Sequence, residues 1–138
     1  MRSLKDEAEF SAMRKEFKDT IRSLGEPDLV ARLTQEVFMS HPIPHWVKSR
    51  EGKMIALNQA YTDLFGITLE EYINHYDNEV WDSNTAAKYS ANDQQAVERG
   101  VMRATIEIIK DDKPMKLDVV KWTIRCCGQV FIAGKCHG

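Results

Sequence analysis

No apolar run in the 138 residues approaches the roughly 20 that a membrane-spanning helix needs. The opening Met1-Arg2-Ser3-Leu4-Lys5-Asp6-Glu7 is polar and mixed in charge, unlike a secretory signal. There is no basic excess either: 19 Lys and Arg against 21 Asp and Glu leave a net charge of -2, too little for a phosphate-binding face. Nucleic acid and membrane are therefore not expected partners. Cysteine is scarce, and Cys126, Cys127 and Cys136 have no framework spacing. Cys126 and Cys127 are adjacent, which holds their Cα atoms closer than about 4.4 Å, the short end of disulfide geometry. Reduced thiols and a cytoplasmic location are the expectation. Also missing are a Gly-x-Ser-x-Gly elbow, a phosphate-binding glycine loop, a His-Glu-x-x-His helix and paired-cysteine metal spacing. The adjacent carboxylates Glu70-Glu71 and Asp111-Asp112 read as solvated surface at a helix start and a turn, so no catalytic residue is assigned and an enzyme is not expected.

What is present is an ordinary globular composition, 43% hydrophobic and 29% charged, which excludes a disordered chain and suits one domain with a real core. Residues 1–40 carry helical periods. Phe10, Met13, Phe17, Ile21 and Leu24 recur at spacings of three and four, forming one apolar stripe opposite a charged face. Gly25-Glu26-Pro27 breaks that helix, and a second runs from about Pro27 to Met39. The stripe either folds onto its own chain or pairs with a second copy, and a homodimer through it is the favoured expectation. Ser40-His41-Pro42-Ile43-Pro44 then reads as a linker into a second region, residues 41–138.

From His45 the period becomes that of strands. A short strand spans 45–48, a turn 49–53, and a second strand 54–57. Asn58 stops that strand and is placed to cap a helix bearing Ala60, Tyr61, Leu64 and Phe65, which ends at Gly66. Thr68-Leu69-Glu70-Glu71 starts another short helix, residues 75–83 look irregular, and 84–99 read as a helix. Three strands follow, at about 102–108, 116–125 and 129–136, with turns at Asp111-Asp112-Lys113 and Cys127-Gly128. The apolar phase of the middle strand slips between Leu117-Val119 and Val120-Trp122-Ile124, which suggests a bulge. Met54-Ile55-Ala56-Leu57 is apolar on both faces and expects cover on both. The order of elements argues an α+β fold: a five-stranded antiparallel sheet with short helices on one face, preceded by one or two helices.

The succession of Gly52, an apolar strand, Asn58-Gln59-Ala60, a helix, and Phe65-Gly66 resembles the PAS family of sensory and signalling domains. The resemblance covers about Ile43 to Cys136 and leaves the leading helices outside. It implies a signal-transduction module that binds a small ligand or a protein partner and relays the change through its sheet and N-terminal helices. The alternative is a ligand-free module for oligomerisation or protein interaction. It also implies a space between sheet and helices, for which Trp46, Tyr61, Phe65, Tyr72, Trp81, Met102 and Trp122 are the candidate ligand-binding residues. An effector domain or protein beyond the C-terminus is a further implied partner.

No cofactor is named. The flavin-adduct branch of the family uses an Asn-Cys-Arg-Phe-Leu-type helix, and no cysteine precedes Cys126. The haem branch places a histidine on the long helix, and residues 84–99 contain none. A flavin or small metabolite held without covalent chemistry stays open. His75 reads as a surface or capping residue rather than an axial ligand. Pairing of first and last strands would bring His41 and His45 near Cys136 and His137, a set that would suit zinc, but the tail is expected to fray and no metal site is assigned.

Overall fold

Strand gives way to helix at Asn58 because its side chain accepts from the first turn of the helix, at Tyr61 N, and from His45 N across the sheet. In the computed structural model, Asn58 is extended and its Oδ1 accepts from Tyr61 N at 3.1 Å, capping α3 (Gln59–Phe65). The helix closes at Gly66, in the left-handed conformation at φ 71°. Thr68 then opens α4 (Leu69–Tyr72) with a reciprocal capping box to Glu71. The structure describes residues 4–23 and 29–138, and excludes the side chains of residues 4–7, 10, 17 and 20–23.

The chain divides into two compact units, Met1–Val37 and Phe38–Gly138, with the division inside a helix. In the first unit α1 (Leu4–Ser23) spans four of the five stripe positions, and of these the Met13 side chain is described and exposed. The side chains of Phe10, Phe17 and Ile21, together with Leu24 and the Gly25-Glu26-Pro27 break, lie outside the described residues. Helix α2 (Leu29–Ser40) follows and leads into the second unit.

That unit is built on an antiparallel sheet of β1 (His45–Ser49), β2 (Met54–Leu57), β3 (Val101–Lys110), β4 (Lys113–Cys126) and β5 (Gln129–His137), in the order β2-β1-β5-β4-β3. Helices α3, α4, α5 (Asp77–Val80) and α6 (Ser83–Arg99) complete it. The stretch expected to be irregular thus contains α5. Asp82 caps α6 through Thr85 N, and Gly100 ends it at φ 83°. Along the strands Trp46, Met102, Ile108, Leu117, Val119, Ile132 and Cys136 face the helices and are buried, so one side of the sheet forms the core.

Strand β4 contains no bulge. Its pairing with β3 runs without a break from Val101↔Trp122 to Lys110↔Lys113, and that with β5 from Asp118↔His137 to Cys126↔Gln129. The apparent slip has a different cause: Lys121 continues the inward phase of Leu117 and Val119, so a charged residue stands where an apolar one was expected. The register shift lies between β1 and β2, at Val47/Lys48. It lets Met54 and Leu57, three residues apart, both turn inward while Ile55 is exposed.

Candidate functional site

Two lysines project from the sheet into the interior. Lys48 of β1 is 2% exposed and Lys121 of β4 is 1% exposed, so neither ammonium can be left to water. Two buried aspartates on the helices meet them. Lys48 Nζ lies 2.8 Å from Asp77 of α5 and 3.0 Å from Asp93 of α6, and Lys121 Nζ lies 2.6 Å from the other Asp93 oxygen. Lys121 also donates to Tyr89 O at 3.2 Å. The Tyr72 hydroxyl donates to Asp77, and both ammonium groups stand over the Tyr89 ring, at 5.7 Å and 5.3 Å from its centroid. The cluster ties two helices to two strands and balances two positive charges with two negative ones.

Burial opposes each of these charges, and the neighbours decide the outcome. For Lys48, Asp93 and Asp77 outweigh burial and hold the ammonium above its ordinary value. For Lys121, burial and the nearby Lys48 charge prevail over Asp93, and the pKa falls to about 8. Burial also disfavours the Asp93 carboxylate, but Lys48 and Lys121 bring it below the ordinary value. Burial keeps Tyr61, Tyr72 and Tyr89 protonated well above the usual phenol range, so the Tyr72 O–H remains a donor to Asp77.

Beside this cluster lies an aromatic wall. Trp46 meets Tyr61 edge-on at 5.7 Å, Tyr61 meets Phe65 at 4.7 Å, and Trp81 meets both Phe65 and Tyr89 at 5.3 Å. The Trp46 indole lies across β5 where Gly134 pairs with it, and a Cβ at Gly134 would collide with the ring. Lys48, Lys121 and the aromatic residues enclose a space with about 10 Å³ open to the centre of a water molecule. That is near the minimum for a single water and far below the roughly 300 Å³ of a small-ligand site. Side chains fill the interior.

Of the candidate ligand-binding residues, Trp46, Tyr61, Phe65 and Tyr72 line this space. Trp81 packs against the same core while partly exposed, and its buried Nε1 has no hydrogen-bond partner. Met102 belongs to a separate cluster with Ala96 and Ile132. Trp122 pairs with Ala133 and lies out of phase with inward Lys121, on the sheet face away from the helices. It is not part of the interior, because the alternation of β4 never breaks. The residues that sequence reasoning passed over are Lys48, Asp77, Asp93 and Lys121. One signal could have found the last: a strict period of two from Leu117 through Val119 puts Lys121 inside.

The histidines do not assemble a metal centre. The His41 and His45 rings lie 4.3 Å apart, tilted at 59°, but Nδ1 of each is engaged with the Ile43 backbone, Cys136 points into the core, and His137 approaches Asp118. Among the described residues no three of His, Cys, Asp and Glu gather as metal ligands. His75 is exposed, with Nδ1 2.8 Å from Ile73 O. No described helix is long and apolar enough to cross a membrane.

No curated protein matches the chain. Solved structures do. The PAS domain of Bordetella pertussis BvgS is 20% identical with a TM-score of 0.64, over 77% of this chain and 83% of that one. A PAS domain from Colwellia psychrerythraea is 17% identical with a TM-score of 0.64, over 78% and 95%. A domain of a sensory box sensor histidine kinase/response regulator from Geobacter sulfurreducens is 14% identical with a TM-score of 0.62, over 78% and 93%. At such identities these likenesses concern the fold. A family model described as the PAS fold matches residues 38–126, more than half of the sequence, and the chain belongs to the PAS family.

Proposed function

We propose that this PAS domain is a signalling module that works through protein contact, with a second copy of the chain as the partner of its outer sheet face, and that it is not a catalyst. The observation that carries the reading is a row of apolar residues in register across all five strands: Val101, Trp122, Ala133, Val47 and Ala56. Ile124 and Phe131 extend it on one side, and Arg103, Lys135 and His45 border it on the other. An apolar centre with a polar rim is the anatomy of a protein interface, and a two-fold dimer lets one such patch serve both partners. The filled interior supports the same reading, since a signal that does not enter as a ligand must arrive through the surface.

Native mass spectrometry of the purified chain tests it. The expected spectrum is a dimer without a bound small molecule, and Trp122→Glu should give a folded monomer. A wild-type monomer, or a Trp122→Glu variant that stays dimeric, would overturn the proposal.

A second reading rests on the buried charge cluster. Replacing a buried ion pair with apolar residues is often neutral or stabilising, so stability alone does not account for Lys48, Asp77, Asp93 and Lys121. A small polar ligand competing for those groups would be read as a stoichiometric mass increment in the same spectrum.

A further inference from the structure

The hairpin joining β4 and β5 turns through Cys127 at φ 53° and Gly128 at φ 76°. Left-handed backbone is unfavourable for an ordinary residue, because its Cβ crowds the following carbonyl oxygen. The neighbouring β3–β4 hairpin meets the same demand with Asp111 and Asp112, whose short polar side chains tolerate it. Cys127 gains nothing of that kind from the turn. What the turn does is aim its thiol at Cys126: the two Sγ atoms are 3.7 Å apart and both residues are exposed.

That separation is too long for a disulfide, whose sulfurs must close to about 2.05 Å. It is a thiol–thiol contact at hydrogen-bond distance, and it falls within the range that two sulfurs sharing one soft centre span. A centre that holds each sulfur at about 2.3 Å, at an angle between a right angle and tetrahedral, sets them about 3.3 to about 3.8 Å apart. Among the described residues no third His, Cys, Asp or Glu joins the pair, which does not suit zinc with its four ligands. The site fits a centre that two thiols satisfy.

We propose that Cys126 and Cys127 form a two-thiol site for a trivalent arsenical at the tip of the β4–β5 hairpin. With an arsenoxide, R–As=O, both thiols add to arsenic: two As–S bonds form, the As=O bond is lost, and the oxygen leaves with the two thiol protons as water. The arsenic stays trivalent and no oxidant or reductant is consumed. A hydrogen bond with Cys127, together with that neighbour's charge, raises the Cys126 thiol above its ordinary pKa, and a ligand that takes both thiols gains from chelation. This inference is independent of the signalling role.

Phenylarsine oxide added to the reduced full chain is the test. Native mass spectrometry should show one adduct per chain, formed with loss of one water, and a thiol-counting reagent should find both exposed thiols consumed. Excess 1,2-ethanedithiol should reverse it. Cys126→Ser and Cys127→Ser, both at an exposed tip, should each lose the adduct. Cys136→Ser should keep it, because that thiol is buried and pushed up to about 12. No adduct on the wild type, an undiminished adduct on either single variant, or its loss in Cys136→Ser would each overturn the proposal.

Discussion

The interior of the PAS domain has two halves made on different principles. Around Trp46, Tyr61, Phe65 and Trp81, rings meet one another tilted or edge to face. A few ångströms away Lys48, Lys121, Asp77 and Asp93 hold one another in a closed charge cluster. The aromatic half is held by area and shape, terms that vary gradually as side chains change. The charged half is held by a balance of large opposing quantities, desolvation against attraction, and is correct only when every member is present. One half is forgiving and the other all-or-none.

The sharpest test of that difference uses substitutions of modest size. Asp93→Asn changes almost no volume but leaves two buried ammonium groups to one carboxylate, and should cost about 3–5 kcal/mol in urea unfolding. Phe65→Leu, a larger change of shape in the aromatic half, should cost less than about 1.5 kcal/mol if neighbours repack. Equal losses would erase the distinction. Gly134 sits on the boundary, paired with Trp46 on one side and Lys121 on the other. Gly134→Ala should cost about 1–3 kcal/mol by overpacking against the indole, and a neutral result would show that the wall can move. Asn58→Ala, outside both halves, should cost at least the about 0.5–2 kcal/mol of a lost cap, since His45 N and Ile43 O lose their partner as well, read as a lower melting temperature.

The smallest effect is one of pH, and its sign separates the halves. The folded pKa of Lys121, about 8, lies below the ordinary 10.5, so from pH 8 upward the unfolded chain holds more protons and stability rises with pH from this group. The slope is less than about 1.4 kcal/mol per pH unit. Above pH 9 Cys136, whose folded value is raised from 9.0, contributes in the opposite direction, and above pH 10 the buried tyrosines add to it. Lys121→Arg, which does not titrate in this range, should lack the rise between pH 8 and 9. In acid, the Asp93 contribution is complete above the ordinary 3.8 and is lost as pH falls through its lower folded value. Urea midpoints across pH 2 to pH 5, where Asp93→Asn should show a shallower decline, check the sign.

Much of the fold was legible because its punctuation is local. Asn58, Gly66 and Thr68 act on neighbours within three or four residues, and the three closing strands alternate plainly. Legibility failed where a residue type contradicted its place. Lysine and aspartate read as solvent-facing, so Lys48, Asp77, Asp93 and Lys121 vanished into the surface. Trp122 drew attention inward because a large aromatic reads as core. A charged residue at an inward strand position imitates the phase slip of a bulge. Partners 28 to 45 residues apart, such as Lys121 with Asp93 and Lys48 with Asp93, leave no mark on a local pattern.

Asn58 reaches further than the helix it caps. Its Nδ2 donates to Ile43 O at 2.9 Å, its Oδ1 accepts from His45 N at 3.0 Å as well as from Tyr61 N, and its own backbone N donates to His45 O. The entry segment and the first turn of α3 are thereby laced to a single amide that is wholly inaccessible to water. A tug arriving along the backbone at Ile43 loads that turn directly through the Asn58 amide, without first crossing the aromatic wall.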